Sequence, residues 1–299
     1  MATATTEAPA RARAQAKPKG KALDETGPLG RFGKSALLGI IFLWCLFPFA
    51  WLIGTSLKDN ASLVNPNPFA GALSIDNYRA VFDQGFVFNL RNSLIVAGMT
   101  TIICVVIGAL AGYAIARLKL KRKALVLAGV LVVSLFPPVA LVPPLFTFWN
   151  TLGLLNTYPS MYISYIAFNL PLTIFILVTF FAAIPIDLEE AARVDGASPF
   201  QAFWRVVMPL AAPGVGAAAI LIFTYAWNEF LLASAFAPRD LAVQTVPVAI
   251  ANFTGVTSYV RPVGAVTAAC VIVTVPMIIF VLVFQKKIVA GLTAGGVKG

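Results

Sequence analysis

Six long apolar segments dominate this sequence and restrict the folds that it can adopt. Each has at least the roughly 20 residues that an α-helix needs to cross about 30 Å of hydrocarbon. Apolar residues make up 59% of the 299 positions and charged residues only 11%, whereas about a quarter of an ordinary soluble domain is charged. The pattern predicts an all-α, polytopic membrane protein with six transmembrane helices, at about residues 35–57, 92–116, 124–148, 160–183, 212–237 and 263–284.

The basic residues indicate how these segments are oriented. Five Lys and Arg residues fall between positions 117 and 123, beside two predicted spans, and such clusters mark the cytoplasmic side of a membrane protein. Counted from that loop, 17 of the 22 Lys and Arg residues fall on the cytoplasmic side. Both termini are therefore predicted to be cytoplasmic. The net charge of +10 follows the membrane loops and not one clustered face, which favours a lipid environment and argues against nucleic acid as a partner.

Three regions follow from this topology. Residues 1–34 are rich in Ala, Pro, Lys and Arg and have little apolar surface to bury, so we expect a disordered basic cytoplasmic tail. Residues 35–284 are expected to form the transmembrane domain, and residues 285–299 a cytoplasmic C-terminal tail.

Residue types that support catalysis are scarce. The chain has no His, and its three Cys residues all fall in predicted spans, where they are expected to pack as small apolar side chains. We find no nucleophile with a base and no metal cluster, and we predict neither catalytic residues nor a metal site. Gly33-Lys34-Ser35 resembles the end of a phosphate-binding loop, but Pro28 stands where that motif requires Gly. If ATP drives this protein, another chain must bind it.

A polar stretch at about residues 184–211, between spans 4 and 5, reads as two short helices joined by a sharp turn. Asp187 is placed to cap the first helix with Glu190 at its third position, and Gly196 to end it at positive φ. Ser198 is predicted to cap the second helix, with Pro199 at its first position. Its apolar residues are spaced to make one stripe, formed by Phe200, Phe203, Trp204, Val207 and Met208.

Two interpretations fit this spacing equally well. The aromatic stripe could enter a groove on a partner, or it could pack beneath the chain's own membrane bundle while Glu190 only caps a helix.

The sequence itself is more specific than its spacing. Glu190-Ala191-Ala192, followed by Asp195-Gly196 and Met208-Pro209, resembles the EAA signature of permease subunits of bacterial ABC importers. Met208 replaces the usual Leu or Ile before the proline and keeps its apolar character. The C-terminal segment from Phe284 to Gly299 also resembles the end of the second permease of maltose and trehalose type importers.

This resemblance implies a type I ABC importer permease fold and a carbohydrate substrate, of which a trehalose or maltose type sugar is the leading choice. It implies a second related permease, two cytoplasmic ATPase subunits that bind ATP and Mg, and an extracytoplasmic sugar-binding protein, all at the bacterial inner membrane. The residues matching the coupling loop are Glu190, Ala191, Ala192, Asp195, Gly196, Phe200, Phe203 and Trp204. The tail residues implied to reach the ATPases are Gly291, Thr293, Gly295 and Gly296.

The route of the substrate is less constrained. Glu229 is the one acidic residue that we place inside a span, where such a charge faces a cavity or a structural partner. With Tyr225, Trp227 and Asn228 it either lines the translocation path or serves the structure. Prolines interrupt the predicted spans 3, 4 and 6, at Pro137, Pro138, Pro143, Pro144, Pro171 and Pro276. The alternative function is a secondary transporter or channel without an ATPase, which usually needs coupling carboxylates or a selectivity ring.

Overall fold

The computed structural model describes residues 28–118, 120–238, 242–253 and 262–295, with side chains throughout except at 28–31, 60 and 285–295. These residues form helices and turns, and the only strand-like pairing among them is a single bridge between Lys58 and Leu73. The helices are α1 Pro28–Ser56, α2 Asp76–Asp83, α3 Phe86–Arg117, α4 Lys123–Val133, α5 Pro138–Thr151, α6 Tyr158–Ala183, α7 Ile186–Val194, α8 Pro199–Leu210, α9 Ala212–Asn228, α10 Leu231–Phe236, α11 Val246–Asn252 and α12 Val263–Gly295.

The chain divides into two compact units between Ala50 and Trp51, within α1. The first unit contains most of the first apolar helix. The second contains the end of α1 and all the later helices, and every contact described below lies within it.

Four of the predicted spans are single helices, and two are broken. In the described part of the chain, α1, α3, α6 and α12 are each long and apolar enough to cross a membrane. Two further spans arise only if bent pairs are counted, α4 with α5 and α8 with α9. The all-α class and up to six spans are therefore confirmed, and the break in span 3 falls where prolines were expected to interrupt it.

Proline chemistry accounts for the break in span 3. The axes of α4 and α5 differ by 76°, and Pro137 is extended immediately before α5, with Pro138 at the start of the helix. A residue that precedes proline is biased away from helical conformation, so the Pro137-Pro138 pair ends one helix before the next begins. Pro143 and Pro144, by contrast, lie inside α5.

Span 5, predicted at residues 212–237, is interrupted at Glu229, in addition to the 75° bend between α8 and α9. The backbone of this residue is extended (φ −68°, ψ 123°) at the end of α9. Its carboxylate accepts hydrogen bonds from the backbone N–H groups of Leu232 (2.9 Å) and Ala233 (3.0 Å). Those N–H groups belong to the first turn of α10 and have no partner within the helix, so the carboxylate stabilises a second, separate helix.

The centre of the second unit is the pair α3 and α6, and α9 packs on both. Small residues let the two backbones approach closely. A Cβ atom at Gly108 would lie 2.6 Å from Cγ2 of Thr173, and one at Gly112 would lie 3.2 Å from Cβ of Leu177. Close approach at small residues is the usual means by which helices pack in lipid.

Buried side-chain amides join α3 to the segment that precedes α11. Asn89 and Asn92 each donate from Nδ2 to the Gln244 backbone oxygen at 3.0 Å. Ser93 Oγ accepts from the Val246 N–H at 2.8 Å. Because these groups are buried, their pairing avoids the cost of leaving polar atoms unsatisfied in an apolar setting.

Candidate functional site

The polar stretch between α6 and α9 forms a helical hairpin of α7 and α8, joined by Asp195–Ser198. The turn has the geometry that its sequence predicts. Gly196 adopts φ +90°, its N–H bonds to the Arg193 oxygen at 3.1 Å, and the Ala197 N–H bonds to the Ala192 oxygen at 3.0 Å. This pair of bonds is a Schellman motif, which needs a residue that tolerates positive φ.

The start of α8 also confirms its prediction. Ser198 Oγ accepts from the Gln201 N–H at 3.2 Å, and Gln201 Oε1 accepts from the Ser198 N–H at 2.9 Å. Pro199 occupies the first helical position. The two reciprocal bonds form a complete capping box.

The start of α7 differs from the prediction. Its cap position is Pro185, and no side chain caps it. The chain leaves α6 in an extended conformation at Ile184 and Pro185, so Asp187 already lies inside the first turn. There its carboxylate still interacts favourably with the helix dipole. Glu190 lies one turn deeper, and the interpretation that it only caps the helix is wrong.

One side of the hairpin faces outward. Glu190, Ala191, Asp195 and Gly196 are exposed and Ala192 is partly so. In the described part of the chain Glu190 has neither a hydrogen bond nor an ion pair. Large apolar side chains share this exposure, at fractions of 87% for Val194, 64% for Phe200 and 45% for Trp204.

The other side packs against the chain's own bundle. Phe203 is 2% exposed and Val207 is fully buried, and the Phe203 ring lies 4.7 Å from the ring of Tyr113 on α3. The predicted apolar stripe is therefore split. Residues Phe203–Val207 form a π-helical turn, which has a longer repeat than an α-helix, so Phe200 and Trp204 remain exposed while Phe203 and Val207 turn inward.

Glu189 is the residue that sequence reasoning missed. It is 8% exposed, its Oε2 accepts from Arg117 Nε at 2.9 Å, and its Oε1 accepts from the Tyr113 hydroxyl. A second guanidinium nitrogen of Arg117 donates to the Ile184 oxygen at 3.2 Å. The sequence feature that could have indicated this pair is an Arg at the end of one span, Arg117, together with a Glu near the start of a later polar helix, Glu189.

The residues considered for the translocation path lie at the end of α9; they are Tyr225, Trp227, Asn228 and Glu229. Trp227 is 2% exposed and stacks on Phe223, with ring centroids 5.6 Å apart. Asn228 is exposed and its amide donates to the Thr224 oxygen at 2.8 Å, while Tyr225 is also exposed. Glu229 caps α10, as described above. The structure thus separates the four residues, since Trp227 is part of the core and the Glu229 carboxylate is used by the backbone.

The C-terminal residues extend the helix of the last span beyond Phe284. The helical backbone of α12 continues through Gly291 and Thr293 to Gly295, so these glycines do not end the helix before that point. Gly296 lies outside the described residues. Within the described ranges, no group of three or more His, Cys, Asp or Glu residues is arranged to hold a metal ion.

Comparison with known proteins decides the family. Residues 104–293 match the model of the binding-protein-dependent transport system inner membrane component. The chain belongs to this family. The permease is therefore the membrane-spanning, non-catalytic component of an ABC transport system, and its EAA-type hairpin is typical of that family.

Named relatives match most of the permease. It is 45% identical over 258 residues to the trehalose transport system permease protein SugB of Mycobacterium tuberculosis, covering 86% of this chain and 93% of that protein. It is 42% identical to the trehalose/maltose transport system permease protein MalG of Thermococcus litoralis, covering 85% and 92%. The sulfoquinovosyl glycerol permease SmoH of Agrobacterium fabrum is 44% identical, covering 85% and 89%.

A solved structure supports the fold. A chain of a bacterial ABC transporter involved in the import of the polysaccharide alginate superposes with a TM-score of 0.71 at 23% identity. The superposition covers 86% of the permease and 96% of that chain. The predicted ABC importer permease fold is confirmed.

Proposed function

We propose that the permease forms half of the translocation path of an ATP-driven carbohydrate importer, together with a second related permease. Two cytoplasmic ATPase subunits would bind ATP and Mg and dock on the α7–α8 hairpin. An extracytoplasmic sugar-binding protein would deliver the substrate. One solved transporter of this fold was crystallised with a substrate-loaded periplasmic protein, which supports the last of these partners.

The outward side of the hairpin is the observation on which the proposal depends. It combines a carboxylate without a partner among the described residues, Glu190, with the exposed apolar side chains Phe200 and Trp204. Large exposed apolar side chains are costly on a free surface and typical of one that another protein covers. A partner with an apolar groove and a basic residue opposite Glu190 fits this surface, and we assign it to the ATPase.

The orientation supports the same assignment. The loop between α3 and α4 and the hairpin would both be cytoplasmic, because 17 of the 22 Lys and Arg residues fall on that side in the proposed topology. In this topology the hairpin would lie where ATP is available, and both termini would be cytoplasmic.

A trehalose or maltose type α-glucoside is the proposed substrate. The support is the similarity to SugB and MalG, at 45% and 42% identity. SmoH, at 44% identity, is named for a different glycoside, so the substrate has to be measured. Exposed Tyr225 and Asn228 are the candidates in this chain for contact with a passing sugar.

The decisive experiment is uptake after deletion. Cells that lack the permease should lose accumulation of labelled trehalose or maltose, and a tagged copy should restore it and retain an ATPase and a second permease on purification. Uptake that continues after the ATPase is inactivated would instead support a secondary transporter. Uptake of neither sugar, with the ATPase still retained, would reject only the substrate.

A further inference from the structure

Two adjacent glutamates of α7 have opposite surroundings. Glu190 is exposed and makes no polar contact with the rest of the described chain. Glu189 is buried and points toward the membrane bundle. Neighbouring positions on a helix are separated by about 100°, so a single helix presents one carboxylate to a partner and the other to its own protein.

Glu189 lies where three segments meet. Its carboxylate accepts from Arg117, the last residue of α3, at 2.9 Å, and from the hydroxyl of Tyr113 one turn earlier. The same Arg117 also donates to the Ile184 oxygen, at the exit of α6, at 3.2 Å. The side chains of Arg117 and Glu189 are only 13% and 10% exposed, so the pair is shielded from water and from screening ions.

Tyr113 extends the contact to the second helix of the hairpin. Its ring packs at 4.7 Å from Phe203 on α8 and edge-on at 6.0 Å from Phe181 on α6. Its hydroxyl donates to Glu189 on α7, while its ring packs against Phe203 on α8. A displacement of the hairpin relative to α3 would therefore break a charged hydrogen bond and separate aromatic rings at the same time.

We infer that Glu189, Arg117 and Tyr113 are positioning residues that make the hairpin and α3 move as one body, so that ATPase closure is transmitted to the spans. The inference rests on the proposed docking role of the hairpin. Rigid-body rearrangements need stiff connections between the moving parts. An ion pair with fixed hydrogen-bond directions restricts orientation, whereas apolar packing alone permits sliding.

The test uses the whole transport complex in proteoliposomes, with two readouts: the amount of ATPase retained on the permease, and sugar transported per ATP hydrolysed. The variants are Glu189→Gln, Arg117→Gln, the combination of both, and Tyr113→Phe, which removes one hydroxyl and keeps the ring. Glu190→Gln is the matched control on the outward side. If the wild-type complex retains no ATPase, the proposed function itself is rejected, and the role of Glu189, Arg117 and Tyr113 is not tested by that result.

We expect Glu189→Gln and Arg117→Gln to retain the ATPase but to lower sugar transported per ATP by about tenfold, because each leaves one charge of a buried pair without its partner. The combined variant should lose less than the product of the two, since paired residues act as one unit. Glu190→Gln should show the reverse pattern: the ATPase is lost from the permease, and any complex that keeps it transports the normal amount of sugar per ATP.

Two results would overturn the inference. One is normal sugar transported per ATP in the single variants. The other is loss of the ATPase in step with the loss of coupling, which would reduce the three residues to a role in folding the hairpin. If either charge variant fails to accumulate, Tyr113→Phe decides the question. A wild-type value of sugar transported per ATP in that variant would also reject the positioning role.

Discussion

Gly264, near the start of α12, packs directly against the side chain of Asn77 on α2. A Cβ atom at position 264 would lie 2.7 Å from the Asn77 amide nitrogen and nearer still to its oxygen. Asn77 cannot turn aside without loss, because its amide donates to the backbone oxygens of Ser56 at 3.0 Å and Lys58 at 2.7 Å. One buried amide thus joins the end of α1, α2 and the last span.

We predict that Gly264→Ala destabilises the permease, because overpacking of a well-packed site costs about 1 to 3 kcal/mol. The thermal unfolding midpoint in detergent should fall by several degrees. Gly98→Ala is the matched control, since a Cβ at position 98 meets no heavy atom within 4 Å. In an Asn77→Ala background the same Gly264→Ala change should cost less, and an equal cost there would show that Asn77 is not the obstacle.

The topology is tested by cysteine labelling in a version without the three native cysteines. Cysteines at Ala10 and Lys121 should react only after the membrane is permeabilised, and one at Ala70 should react from outside. The expectation follows from the asymmetric distribution of basic residues. Labelling of position 121 in intact cells would reverse the orientation of every loop.

The docking surface is tested by Glu190→Lys and Gly196→Val. A reversed charge at position 190 should repel a basic groove, and valine at φ +90° is strained by about 1 to 2 kcal/mol. Steric overlap does not contribute to the effect of Gly196→Val, because a Cβ at position 196 meets no atom within 4 Å. Both variants should insert normally but lose uptake. Wild-type uptake by either, at equal expression, would contradict ATPase docking at this hairpin.

The C-terminal segment is tested by deletion of residues 291–299. Insertion should be unchanged, because the span from Val263 to Phe284 remains intact. Sugar-stimulated ATP hydrolysis by the assembled complex should fall, since this segment is proposed to reach the ATPases. A truncated complex with full stimulation would leave the tail without a role in coupling.

Two substitutions of Glu229 distinguish a structural role of this residue from contact with the substrate. Glu229→Ala leaves two N–H groups of α10 unsatisfied, at about 1 to 3 kcal/mol for each buried group, and should lower the thermal midpoint. Glu229→Gln retains one acceptor oxygen, so it should lose about half as much stability as Glu229→Ala and have an unchanged KM for the sugar. A raised KM in the Gln variant would instead place this side chain in the translocation path.

Local patterns predicted the hairpin well. The capping box of Ser198 and Gln201 and the positive φ of Gly196 depend on residues three or four apart, which a sequence displays directly. Apolar length likewise predicted the spans. The breaks before Pro138 and at Glu229 were harder to predict, because proline occurs both at breaks and within helices such as α6.

Long-range pairing accounts for what the sequence did not reveal. Glu189 and Glu190 are chemically identical neighbours, and only the position of Arg117, 72 residues away, distinguishes the buried one from the exposed one. For Trp227 the sequence left open a place in the translocation path or a structural role, and its burial and its stacking on Phe223 place it in the core. The expected single stripe on α8 failed because a π-helical turn changes the helical repeat.

The close contact of α3 with α6 at Gly108 and Gly112 limits how permeases of this kind can diversify. A larger residue at either position would force the helices apart, and every neighbour of the pair would have to adjust at once. New substrate preferences can therefore arise by single substitutions only on other helix faces. We expect the relatives that are named for different glycosides, at 42–45% identity, to keep small residues at this contact while their other surfaces vary.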